Sequence, residues 1–299
     1  MPRPRLRALR TAAFLALLSL GLSACSPRQL VVRSVADQLA GQDAGSENDP
    51  ELAREASAFY LKLSESVLRQ DPDHLPLATA VAGGFTQYAY AFVAFDADRL
   101  EARDSRGAQA LRERAARLYR RARDHALAAL ERHRPGLAAE LATAGPERPL
   151  AKDLVPLAYW GAAAWGGLVS LSKDDPDTVA DLPRAIRLAR LAWLADPAWG
   201  DGTLASLMGS FEAARPGGSA RQAEAYFDDA LRLAAGRSAG AFVAKAEGVA
   251  QPAGDKAAFL DLLRQAEAVR DTPGSPLTLA NEVMRRRARW LAENADDLF

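Results

Sequence analysis

What the 299-residue chain has least of sets its first limits. Its one cysteine, Cys25, allows no internal disulfide. Three histidines leave little material for a metal site or a histidine base. A single isoleucine, Ile186, stands against about 65 alanines. Strands favour β-branched side chains and helices favour alanine, so a β-rich fold is excluded. Charge of neither sign prevails: 38 Lys and Arg balance 38 Asp and Glu, which excludes a strongly basic nucleic-acid binder. What remains is 49% hydrophobic, enough for a large core.

The first 25 residues carry an export pattern. Arg3, Arg5, Arg7 and Arg10 precede an apolar run from Ala12 to Leu22, about half the ~20 residues that span a bilayer. Leu22-Ser23-Ala24-Cys25 follows, and the whole resembles a bacterial lipoprotein signal. Small residues admit the peptidase, and the Cys25 thiol receives the lipid. The expected organisation is a signal peptide over 1–24, a lipid-anchored flexible tether over 25–50 with room for a short helix at 30–39, and one helical domain over 51–299. Ser26 rather than Asp follows the cysteine, and in a Gram-negative cell the resemblance to sorted lipoproteins implies the periplasmic face of the outer membrane. Without the four leader arginines the mature chain has 34 basic and 38 acidic residues.

Beyond Glu51 no alternating strand pattern occurs. Asp-Pro pairs at 49–50, 71–72, 175–176 and 196–197 each place a natural N-cap before a first-turn proline. Leu111, Ala115, Leu118, Tyr119, Ala122, Ala126, Ala129 and Leu130 keep to three- and four-residue steps, one buried stripe of a long helix. A weaker periodicity spans whole helices. Ala223, Phe227 and Ala230 have the spacing of the second helix of a tetratricopeptide repeat. Ala185, Ala189, Ala192 and Pro197 repeat it with a small residue for the aromatic, and Phe259, Leu263 and Ala266 repeat it again. The predicted fold class is all-α, an irregular tetratricopeptide-like helical repeat, with a plain bundle as the alternative.

Several longer stretches carry a family resemblance. They are Phe59 to Leu63, Gly84 to Phe92, Tyr159 to Gly166, Ser170 to Pro176, Phe211 to Gly218, and the ending Arg287 to Trp290 with Asp296 to Phe299. In order and spacing they resemble the T component of TRAP-type solute transporters, a lipoprotein family known as TatT. The resemblance implies a tetratricopeptide-like protein that binds a periplasmic solute-binding protein and forms a ring-shaped homo-oligomer, suspected to be a trimer. It implies no catalytic residues and no cofactor. A helical scaffold for envelope assembly with no small ligand is the competing function.

The chemistry-bearing residues agree with binding rather than catalysis. There is no Gly-x-Ser-x-Gly elbow, phosphate loop or zinc spacing. His74, His125 and His133 are scattered and read as surface or helix-end histidines. Arg285, Arg286, Arg287 and Arg289 read as a solvated face. Two segments without a single charge stand out, Leu75 to Phe95 and Leu154 to Ser172. Their glycines, prolines and polar residues argue against membrane spanning, leaving contact with the membrane through the N-terminal lipid only. Phe85, Tyr88, Phe92 and Phe95 follow steps of three and four on the first. Tyr159, Trp160 and Trp165 stand among Gly and Ala on the second. Two interpretations stay open: a core closed by a neighbouring helix, or an apolar cleft for a small ligand with Lys173, Glu212 or Arg215 at its rim. Glu212 and Arg215 equally suit a surface pair, and Lys173 a helix end.

Overall fold

A computed structural model describes residues 27–42, 45–143 and 145–299. The expected signal segment and Cys25 lie outside the described residues. Helix α1 (Pro27–Ala40) and α2 (Pro50–Leu68) lead into α3 (Leu75–Tyr88), which continues through a π turn (Ala89–Ala94) into α4 (Phe95–Leu100). Then come α5 (Ser105–His133), α6 (Leu137–Ala142), α7 (Val155–Ser170), α8 (Pro176–Ala180) and α9 (Leu182–Ala195). The remainder is α10 (Thr203–Ala214), α11 (Ala220–Ala234), α12 (Ala239–Lys245) with a second π turn (Ala246–Ala250), α13 (Lys256–Ala268), α14 (Thr278–Glu293) and α15 (Ala295–Leu298). No strand occurs among the described residues, and the chain is all-α.

Two of the four Asp-Pro pairs cap helices as expected. Asp49 accepts from the backbone N–H groups of Glu51 and Leu52, both at 3.0 Å. Asp175 accepts from the Thr178 N–H and, at 2.7 Å, from its hydroxyl. The other two do not. After Asp71-Pro72 the chain turns, and His74 caps α3 through Nδ1, which accepts from the Leu77 N–H at 3.1 Å. Asp196 closes the C-terminus of α9.

The repeat spacing corresponds to real packing. Ala185, Ala189, Ala192, Ala223, Phe227, Ala230, Phe259, Leu263 and Ala266 are all fully buried. The Phe227 ring sits between α10 and the turn after α12. A Cβ added at Gly209 would come within 2.9 Å of the ring, and one at Gly248 within 2.6 Å. The small residues admit the ring, and the ring fills the gap between successive helix pairs. One apolar core runs from α1 to α10, and a second joins α12 to α15. Ala205, Ala230, Ala234 and Ala241 form a small seam between them.

The array returns to its own beginning. Helix α3 packs on α5 and α7, α7 on α9, α10 on α11, α11 on α12, and α12 on α13 and α14; α14 then meets α2. Side chains of α14 carry much of this closure. Arg286 pairs with Glu51 at 2.6 Å and Arg287 with Asp98 at 3.1 Å, and the Trp290 ring meets Phe95 edge-on at 6.0 Å. The C-terminal aromatics therefore pack on the body, with the Phe299 ring 5.2 Å from Phe259.

The short helix expected within the tether is present as α1, and it is docked rather than free. It buries Ala36 and Leu39 against the main core, and Asp37 reaches the His74 Nε2 at 2.9 Å. His74 itself is buried and is the helix-end histidine of the two alternatives, the N-cap of α3. Apolar residues at Val32, Ala36, Leu39 and Ala40 give α1 one packed side.

Candidate functional site

The two charge-free segments are α3 with its π turn, and α7, and they pack on each other. No described helix is long and apolar enough to cross a membrane. A π turn takes one extra residue, so positions beyond it rotate by about 100° from helical register. The three- and four-residue steps from Phe85 to Phe95 therefore do not form one face. Phe85 is buried and stacks on His125 of α5, with ring centroids 6.4 Å apart and the Arg121 guanidinium 5.1 Å away. Tyr88, half-buried, meets Phe92 edge-on at 5.5 Å. Phe92 lies under Arg54 at 5.3 Å and lines a small cleft with Pro50, Asp96 and Val283.

On α7 the aromatics also diverge. Tyr159 packs against Trp160 at 4.8 Å and Trp199 at 4.7 Å. Trp165 is buried between two guanidinium groups, Arg123 at 5.6 Å and Arg184 at 5.3 Å. Trp160 reaches α3, where a Cβ on Gly83 would come within 2.8 Å of its Nε1. The glycines do not leave open space beside the rings. Tyr119 stands against Gly167, Phe211 against Gly166, and Ala126 against Gly161. Close approach, not vacancy, is what these small residues provide. Trp160→Ala is accordingly expected to cost about 2 kcal/mol, less than a fully buried aromatic, since the residue is only partly buried. Chemical denaturation of the folded variant measures this.

The polar residues expected at the rim are separate from these rings in role. Lys173 is exposed beyond the end of α7. Arg215 grips Glu212 with two bonds of 2.7 Å, and Glu212 Oε1 also accepts from the Ser219 N–H at 2.8 Å. The pair clamps the turn between α10 and α11. Arg215, and the Ser219 N–H with it, hold the Glu212 carboxyl below its ordinary range despite partial burial.

Two ionic centres were not apparent from the sequence. Glu65, only 3% exposed, receives Arg121 through two bonds, Lys62 at 2.6 Å, His125 at 2.9 Å and Arg69 at 3.4 Å. Burial alone would raise the Glu65 carboxyl, but the bonds from Arg121, Lys62 and His125 hold it well below the usual carboxylate range. The second centre corrects the solvated arginine face. Arg285 and Arg287 are each 14% exposed; Arg285 pairs with Asp271 at 2.8 Å, and Arg287 with Glu247 at 2.6 Å and Asp98. Arg287 also lies 5.6 Å over the Tyr90 ring. Tyr90 and Glu247 belong to the two π turns, so both irregular turns deliver a side chain to this arginine. Arginines in a run gave no hint that alternate members face inward.

Comparison with known proteins adds the biological frame. The family model described as TRAP transporter T-component matches residues 46–299. A protein of Treponema pallidum (strain Nichols), described as uncharacterized, is 28% identical over 268 residues, covering 85% of this chain and 81% of its own length.

Proposed function

The chain belongs to the TRAP transporter T-component family, and from that premise we propose that it is a lipid-anchored periplasmic accessory protein that works by binding a solute-binding protein. The observation that carries this is the match from residue 46 to the C-terminus, which takes in nearly the whole helical array. Helical repeats present extended surfaces to partners, and in this one the Glu65 and Glu212 carboxylates are held in ion pairs that brace the array. Cyclic association of three copies on the outer membrane belongs to the same proposal.

A mostly apolar small ligand would meet Tyr88 and Trp160, which remain half-buried; Phe85, Phe92, Tyr159 and Trp165 are committed to packing. Affinity capture of the lipidated chain from solubilised envelopes tests the family role. TRAP solute-binding or membrane subunits are expected in the captured material, whereas envelope-assembly proteins alone would favour the scaffold function.

The anchor has its own test. Cys25→Ser removes the thiol that accepts lipid, and several acyl chains are what make such an anchor stable. In growing cells the native chain is expected to take up radiolabelled fatty acid and the variant none; a native chain without label would rule the lipid anchor out.

A further inference from the structure

We propose that the outward faces of α1 and α2 form a membrane-contact surface that seats the body directly on phospholipid. Ten large apolar side chains are exposed among the described residues, and seven of them lie on these two helices. On α1 they are Leu30, Val31 and Val35, with Leu30 and Val31 60% and 64% exposed. The inward residues Ala36 and Leu39 already hold α1 to the core, so these three have no packing duty. On α2 they are Leu52, Phe59, Tyr60 and Leu63. Leu52, Ala56, Phe59 and Leu63 follow steps of four, three and four, one continuous stripe on a helix surface. Phe59, at 69% exposure, and Tyr60 meet edge-on at 6.0 Å, a pairing suited to the boundary between headgroups and acyl chains.

Charge complementarity and the position of the chain end select a lipid surface as the occupant. Lys62, Arg69 and Arg121 bring three positive charges to the single charge of Glu65. Lys62 and Arg69 are more than half exposed beside the apolar stripe, and with Arg121 they outweigh Glu65 and the exposed Glu55 of α2 by one charge, which suits lipid phosphates. Cys25 precedes the first residue of α1 by two positions, and two residues span at most about 7 Å. An acyl group there would hold the start of α1 at the bilayer. Because α1 is docked on the body, the helix would orient the whole array instead of letting it swing. The placement rests on the proposed lipid anchor, but the affinity of the face for phospholipid does not.

The test uses the mature chain carrying Cys25→Ser, which has neither lipid nor cysteine. It is expected to co-sediment with vesicles of phosphatidylglycerol and phosphatidylethanolamine, less so as salt rises. Phe59→Ser with Leu63→Ser should lower that partition by at least about tenfold, since both side chains lose apolar burial and neither supports the core. Phe59→Cys in the same background gives a unique site for an environment-sensitive fluorophore, whose emission should shift to the blue on vesicle addition. No vesicle binding, or binding that the double variant leaves unchanged, would overturn the proposal. So would a double variant that only dissociates an oligomer, which would assign the face to a second copy. Fatty-acid labelling of the native chain and of Cys25→Ser tests the anchor separately, so the two can fail independently.

Discussion

Phe227→Ala is expected to lower the unfolding free energy by about 4 kcal/mol, the largest effect of any single substitution considered. The ring has no solvent exposure and is enclosed by Gly209 and Gly248, neither of which has a side chain that could move into the space. The cavity would therefore persist, and the cost includes lost contacts as well as lost burial. Phe227 lies beside the alanine seam between the two apolar cores, so the loss should concentrate at the junction of α10, α11 and α12. Denaturant unfolding measures the total, and hydrogen exchange resolves the junction. A change below about 1 kcal/mol would mean that the repeat packing is not what holds these helices together.

Glu65→Gln should cost about 2–3 kcal/mol at neutral pH, because it removes the charge that Arg121, Lys62 and His125 bond to beneath the surface of α2. The pH dependence gives the effect a signature. The folded-state carboxyl is depressed below its unfolded value, so its contribution is complete above the unfolded pKa, about 4.3 for a glutamate. It declines as pH falls from there through the depressed folded value. Melting temperatures of the two proteins should differ by a constant amount from neutral pH to about pH 5 and converge at more acid pH. A gap that widens on acidification would show that Glu65 is not the ionised centre of this cluster.

Helix positions, the repeat spacing around Ala223, Phe227 and Ala230, and the caps at Asp49 and Asp175 were legible because each depends on near neighbours in sequence. The aromatic site was not. A π turn interrupts the register on which the face assignment along Phe85 to Phe95 depends, and nothing in Ala89 to Ala94 marks such a turn. Glycines near Trp160 and Trp165 equally permit open space and close helix contact; only the positions of Tyr119, Phe211 and Ala126 decide between them. The Glu65 and Arg287 centres join residues separated by 56 and 189 positions, beyond any local pattern. The short helix at 30–39 was legible, but its docking was not, because its apolar residues face both ways, some to the core and some to the outside.

The most direct measurement of the central claim brings together the purified mature chain and the solute-binding protein of a TRAP transporter from the same cell. Native mass spectrometry and titration calorimetry on that pair read complex mass, stoichiometry and heat. A defined heterocomplex with saturable binding at micromolar concentration, retained when Cys25 is replaced by Ser, is the result the T-component role predicts. Two species that stay separate at tens of micromolar, with no heat of mixing, would contradict it.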